Sequence, residues 1–162
     1  MERELTATVL QNDTLAIQTL YHQLIRSWNE MNSKTYANLF TADGSIVGFD
    51  GSQANGRKEI HDHLSSIFAD HAPARFVTII REVHMLSATV GLLKAVAGMV
   101  PRNGKEINEK TNAIQSLIAV KQEDHFRVTL FQNTPAAFHG RPEESEKLTK
   151  ELQEHFNQKG FS

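Results

Sequence analysis

Four β-rich segments follow one another in the second half of the chain: FVTIIREVHML (76–86), TVGLLKAVAGMV (89–100), NEKTNAIQSLIAVK (108–121) and FRVTLFQN (126–133). Each is rich in the β-branched and aromatic residues that strands favour. The links between them are short, and one contains the turn-like sequence PRNG (101–104). Long strands joined in sequence by short links predict an antiparallel meander.

Helices are predicted before this meander. A first helix is expected from Asn12 or Asp13, which can cap it. Apolar residues then recur at the three-and-four spacing of a helix face: Ile17, Leu20, Tyr21, Leu24, Trp28 and Met31.

The segment between the first helix and the meander holds shorter elements. A short helix is predicted from Ser33, ended by the turn-forming Asp43-Gly44 pair. A short strand over 45–50 and a hairpin come next, and a third helix begins at Arg57.

A final helix is predicted after Pro142, over about 143–158, because its acidic start suits a helix N-terminus and Leu148, Leu152 and Phe156 form an apolar stripe. The sequence thus predicts an α+β fold in which a curved antiparallel sheet wraps around N-terminal helices, with an extra C-terminal helix. A sheet that curls around a helix leaves a cavity.

Composition limits the class of protein. The chain has 162 residues, 40% of them hydrophobic, which suits a single domain over 1–162. It has no cysteine, so disulfides, thiolate metal sites and a cysteine nucleophile are excluded. A net charge of −2 argues against nucleic acid as a partner. No apolar run suits a signal peptide or a membrane span, so a cytoplasmic protein without membrane association is expected.

Four short motifs carry a family resemblance: Ser27-Trp28-Asn29, LFTADG (39–44), GRKEI (56–60) and FQNTP (131–135). In this order and spacing they resemble the nuclear transport factor 2-like superfamily, in particular its SnoaL-like, SgcJ/EcaC-type branch. The resemblance covers about 12–135 and leaves the C-terminal helix outside it. It implies a cone-shaped fold with a small-molecule pocket. The chain departs from it at Phe126-Arg127-Val128, where such proteins often carry a tryptophan.

Two residues are candidates for chemistry. Enzymes of the superfamily use pocket carboxylates, histidines and tyrosines as acids and bases, so polar residues at inward positions of the strands are of interest. His84 shares one face of a regular strand with Glu82 and could form an acid/base pair with it. Lys94 lies among apolar neighbours, where burial would lower its pKa. A surface histidine and a lysine at the sheet rim are the structural alternatives.

Other residues are predicted to line the pocket without titrating. Trp28 is expected in its wall, and the adjacent pairs Gln115-Ser116 and Gln132-Asn133 each send one hydrogen-bonding side chain inward. His61-Asp62-His63 is not expected to bind a metal, because residues two apart on a helix point in different directions. No cofactor motif is present. The predicted pocket residues are Trp28, Phe40, Phe49, Gln115, Gln132 and Asn133.

Two functions stay open at this point. One is a cofactor-independent isomerase, cyclase or dehydratase that acts by proton transfer on a small apolar substrate. The other is a non-catalytic ligand-binding or dimerisation module. A homodimer through the outer sheet face is expected, on the argument that Leu93, Leu117 and Phe131 would be costly on a surface.

Overall fold

The structure, a computed structural model, describes the backbone of residues 2–161 and the side chains of residues 7–161. Within residues 2–161, four helices and six strands follow in the predicted order, with a 3-10 turn (Glu109–Thr111) before β5. Their bounds are α1 Glu2–Asn29, α2 Ser33–Asn38, β1 Phe40–Val47, β2 Gln53–Asn55, α3 Arg57–Asp70, β3 Arg75–Met85, β4 Val90–Val100, β5 Ala113–Gln122, β6 His125–Pro135 and α4 Pro142–Lys159.

The six strands form one sheet in the order β2-β1-β6-β5-β4-β3. Strands β3 to β6 are the predicted antiparallel meander, and β1 and β2 form an antiparallel hairpin. One pairing was not predicted: β1 runs parallel to β6, so the sheet is mixed. The α+β fold with a curved sheet around the N-terminal helices and an added C-terminal helix is confirmed.

Several element boundaries differ from the prediction, among them the start of β5, which lies at Ala113 instead of Asn108 because a 3-10 turn takes up Glu109–Thr111. Helix α1 begins well before Asn12, because the segment ahead of it consists largely of good helix formers even though it adds no apolar stripe. The Asp43-Gly44 pair does not end α2 but lies inside β1, where the register against β6 shifts between Phe40 and Ser45. A Cβ at Gly44 would lie 2.9 Å from the Val128 carbonyl oxygen, so glycine lets the two strands approach at this irregularity.

The sheet has an apolar core on each face. The larger core lies between the inner face and α1 to α3, and its most buried side chains include Ile17, Tyr21, Leu24, Phe40, Leu93 and Leu117. A smaller one lies between the outer face and α4, formed by Val77, Val96, Val100, Ile107, Leu148 and Leu152. The C-terminal helix therefore covers part of the outer face.

Leu93, Leu117 and Phe131 give no reason to expect a dimer, contrary to the prediction. All three side chains point inward and are buried in the larger core, so they do not need a partner subunit. The outer face of the same strands carries other apolar residues, among them the exposed Ile114 and the half-buried Leu92 and Ile118. The homodimer itself stays a prediction. Within residues 2–161, no helix has the length and apolar character needed to cross a membrane.

Candidate functional site

A cavity of about 370 Å³ opens between the inner sheet face, the helices and the β1–β2 hairpin. Such a volume is at the lower end of the range for small-molecule sites. Most of its wall is aromatic or aliphatic. The apolar lining residues are Trp28, Tyr36, Ile46, Val47, Phe49, Leu64, Ile67, Phe76, Met99 and Phe131.

Two of the sequence motifs hold this wall in place. The Trp28 indole nitrogen donates to the carbonyl oxygen of Ala74 at 3.0 Å, so the ring lies in the wall with its only donor satisfied. The next residue, Asn29, binds both backbone groups of Phe76: its Nδ2 donates to the carbonyl oxygen at 3.1 Å, and its Oδ1 accepts from the amide at 2.8 Å. The end of α1 is thereby fixed to the edge of β3.

The GRKEI motif anchors the opposite wall. The Arg57 guanidinium donates twice to the carbonyl oxygen of Phe40, from Nε at 3.2 Å and from Nη2 at 2.7 Å. Gly56 precedes α3 with φ of 90°, a backbone conformation that favours glycine. These contacts join the start of α3 to the start of β1, and α3 then presents Leu64 and Ile67 to the cavity.

A chain of buried hydrogen bonds orients the Asn133 amide in the cavity wall. The Tyr21 hydroxyl donates to Gln115 Oε1, and Gln115 Nε2 donates to Asn133 Oδ1 at 3.1 Å. Both Tyr21 and Gln115 are completely buried, and burial raises the pKa of Tyr21 far above its ordinary value, so its hydroxyl stays a donor. Because the Asn133 oxygen is occupied, its NH₂ group is the part left to meet a ligand.

Tyr36 adds a second neutral donor. Its ring stacks on Phe40, with centroids 5.6 Å apart, and it lines the cavity. Burial raises the Tyr36 pKa well above its ordinary value, which keeps the hydroxyl protonated. Among the described residues, no side chain or backbone group hydrogen-bonds to this hydroxyl, so it is available to a ligand.

Two ionisable residues, Asp50 and His63, line the cavity from the hairpin and from α3. The Asp50 Oδ1 atom accepts a hydrogen bond from the Ser52 amide at 2.9 Å, which shapes the hairpin loop. That hydrogen bond lowers the Asp50 pKa, and nearby His63 contributes in the same direction, so Asp50 is a carboxylate at neutral pH. The wall thus combines neutral donors with one anionic acceptor.

The structure brings together only part of the predicted pocket. Trp28, Phe49 and Asn133 line the cavity. Gln115 points inward as predicted but does not line the cavity itself. Its side chain hydrogen-bonds to Asn133, which does line it. Phe40 is a fully buried core residue beneath Tyr36. Gln132 is exposed on the outer face, opposite Ser116, because adjacent residues in a strand point to opposite faces.

The structure does not bring His84 or Lys94 to the cavity. The β3 register shifts between Ile80 and Glu82, and this irregularity reverses the parity of the strand, so His84 faces outward opposite Leu92. Lys94 is on the same outer face, with its Nζ 3.3 Å from Glu82 Oε1. Both side chains are exposed. Glu82 and Lys94 therefore form a surface ion pair, and a catalytic role for His84 or Lys94 has no support from their positions.

Sequence reasoning missed Tyr36, His63 and the role of Tyr21. His63 was considered only as part of a metal motif, although its spacing from Leu64 and Ile67 places it beside the inward stripe of α3. Tyr21 was assigned to the apolar face of the first helix, and Tyr36 was given no role in the site. A fully apolar face that carries tyrosine rather than phenylalanine is the signal that could have indicated a buried donor.

Comparison with known proteins supports the fold. No protein-family model and no curated protein matches the chain. Among solved structures, a domain of unknown function with a cystatin-like fold from Nostoc punctiforme superposes with a TM-score of 0.74 at 18% identity, covering 91% of this chain and 98% of that one. An NTF-2-like protein from Shewanella oneidensis gives 0.59 at 16% identity, covering 75% and 98%.

A third similar structure is a ketosteroid isomerase-like protein from Erwinia carotovora, with a TM-score of 0.62 at 14% identity, covering 76% of this chain and 96% of that one. The superpositions establish a shared fold, and at identities this low the activity has to be argued from the residues of the site. The chain therefore has the fold of these structures, a cystatin-like fold, which is the fold that the resemblance in its motifs implied.

Proposed function

We propose that this chain is a small-molecule-binding domain whose ligand is largely apolar and carries a carbonyl or a similar hydrogen-bond acceptor. The observation that carries the proposal is the Asn133 amide, which the Tyr21–Gln115 hydrogen bonds hold with its oxygen occupied. A fixed donor in an otherwise apolar wall orients a ligand by one polar group, while the hydrocarbon walls supply most of the binding free energy. The Tyr36 hydroxyl is a second donor for the same kind of group.

Catalysis by proton transfer is the second candidate function. It is favoured by one arrangement, the presence of the Asp50 carboxylate and the His63 imidazole in the wall of the same cavity. Asp50 is an anion and could only accept a proton, and the Ser52 hydrogen bond that lowers its pKa also makes it a weaker base. Binding without catalysis needs only the neutral donors and the apolar wall, so it is the simpler reading. Membership of the SnoaL-like branch is a more specific claim than the shared fold and stays a prediction. A cytoplasmic location stays a prediction as well.

A thermal-shift screen tests the proposal. A ligand that binds only the folded state raises the melting temperature, by an amount that grows with its concentration relative to Kd. We expect small apolar ketones, lactones or polyketide-like compounds to raise the melting temperature of the wild type. They should not do so for Ile67→Trp, in which an added indole occupies part of the cavity.

The matched control for this screen is Ile114→Trp, which adds the same indole on the exposed outer face. It should respond to the ligands as the wild type does. Hits that stabilise both tryptophan variants equally would show that the compounds bind elsewhere and would contradict the proposal. A library of such compounds that leaves the wild type unchanged would contradict it as well.

A further inference from the structure

A second concave surface lies on the far side of α1 from the cavity just described. It is a cleft of about 580 Å³ along the open edge of β3, between α1 and α4, and we call it the α1–α4 cleft. None of its lining residues lines the cavity. Its existence depends on the C-terminal helix, because His155 and Lys159 of α4 form one of its sides.

The α1–α4 cleft is lined by basic side chains without an acidic one. His22 and Arg26 come from α1, where their four-residue spacing puts them on one face, and His155 and Lys159 have the same spacing on α4. No Asp or Glu is among the described residues of its lining. The acid one turn before His155 is Glu151, and both of its carboxylate oxygens bind the Arg81 guanidinium.

His22 offers a hydrogen-bond donor to this cleft. Its Nδ1 atom is buried and has no partner within the described part of the chain, so a hydrogen there would be left unsatisfied. The ring therefore carries its hydrogen on Nε2. Burial, and secondarily the neighbouring Arg26, lower the His22 pKa, so the ring is a neutral donor at neutral pH.

The backbone of β3 adds further donors. The amide and carbonyl of Phe76 both point away from β4, since the Asn29 side chain binds both of them. In an antiparallel pair this orientation repeats at every second residue, so the amides and the carbonyls of Thr78 and Ile80 face the same open edge. Thr78 and Ile80 both line the cleft. The register shift that follows Ile80 ends this alternation.

From this geometry we infer that the α1–α4 cleft binds an oxyanion, the phosphate or carboxylate group of a small molecule. Arg26 and Lys159 supply charge from opposite sides, His22 supplies a neutral donor, and the β3 edge supplies backbone amides, which is the combination that phosphate and carboxylate groups need. This site does not depend on the cavity or on its ligand, so the two proposals can fail separately.

A phosphate titration tests the inference. Inorganic phosphate and citrate, at low millimolar concentration, are compared with sodium chloride at equal ionic strength, so that general screening cancels and the stabilisation that these salts give to proteins by exclusion from the surface stays small. We expect both oxyanions to raise the melting temperature of the wild type beyond chloride. In the amide NMR spectrum of the wild type, the signals of Thr78 and Ile80 should shift in a saturable way.

The variants are two double substitutions that remove the same charge. Arg26→Gln with Lys159→Gln removes the arginine and lysine charges of the cleft and should weaken phosphate binding about tenfold or more, the effect of losing charge-assisted hydrogen bonds. Lys34→Gln with Lys150→Gln removes two exposed lysines outside the cleft and should bind as the wild type does. Circular dichroism in chloride checks that both are folded.

Three results would overturn the inference. One is a melting temperature in phosphate and citrate that does not differ from that in chloride. Another is an equal response of the two double variants, which would show unspecific attraction to positive charge. The third is an NMR titration of the wild type in which other amide signals shift in a saturable way while those of Thr78 and Ile80 do not change. This result uses no variant, so it stands even if a substitution disturbs the fold.

Discussion

Replacing Gln115 by leucine is expected to lower the free energy of unfolding by about 2–4 kcal/mol, a large effect for one polar residue. Gln115 is completely buried and joins Tyr21 to Asn133. Leucine has a similar volume, so the loss comes from two hydrogen bonds and from a buried Tyr21 hydroxyl left without an acceptor. Urea denaturation followed by Trp28 fluorescence, with circular dichroism as a second probe, measures the change.

A double-mutant cycle with Tyr21→Phe separates the hydrogen bond from packing. Tyr21→Phe alone removes the hydroxyl and leaves the Gln115 oxygen unpaired, so it should also destabilise the protein. The double variant leaves neither group unsatisfied at this contact, and its cost should be smaller than the sum of the two single costs. Costs that add to within about 0.5 kcal/mol would argue against the Tyr21–Gln115 hydrogen bond.

Replacing Leu152 by alanine is expected to lower the free energy of unfolding by about 2–5 kcal/mol, the usual range for a buried leucine. Leu152 is fully buried in the outer core, packed with Val77, Val96 and Val100 of the sheet. A truncated side chain would leave a void between α4 and β4, since Gly98, whose added Cβ would lie 3.0 Å from Leu152 Cδ1, has no side chain to fill it. Urea denaturation measures this cost too.

The control for this prediction is Lys150→Ala on the exposed side of the same helix, which should change stability by no more than about 0.5 kcal/mol. A Leu152→Ala cost as small as the control's would mean that α4 contributes little to the folded domain. The α1–α4 cleft would then lose one of its sides as a stable feature.

Sequence patterns were sufficient for most of the fold because they follow the periods of helix and strand. The alternation in the four long segments predicted the meander, and the stripe from Ile17 to Trp28 predicted α1. The parallel pairing of β1 with β6 was not predictable in the same way. It joins strands far apart in the sequence, and its register shift near Gly44 has no local period.

The site was harder to predict because single-residue irregularities decide which face a side chain occupies. Strict alternation along β3 would put His84 on the same face as Ile80, which packs against the larger core. The register shift after Ile80 turns His84 to the outer face instead. Where β5 and β6 keep their register, alternation correctly predicted that Gln132 and Asn133 point to opposite faces, and the structure shows that Asn133 is the inward one. The tyrosine donors were not predicted because a buried tyrosine and a buried phenylalanine occupy the same positions in the apolar spacing of a helix.

The Asn133 amide is the centre of this account, and its outer-face neighbour provides the matched comparison. Isothermal titration of a compound that stabilises the wild type would be repeated with Asn133→Leu and with Gln132→Leu, which remove adjacent amides from opposite faces of β6. We predict that Asn133→Leu weakens binding by about tenfold or more, as the loss of an oriented donor in an apolar site should, and that Gln132→Leu leaves Kd unchanged. Equal affinities for the two variants would contradict the assignment of Asn133 as the group that orients the ligand.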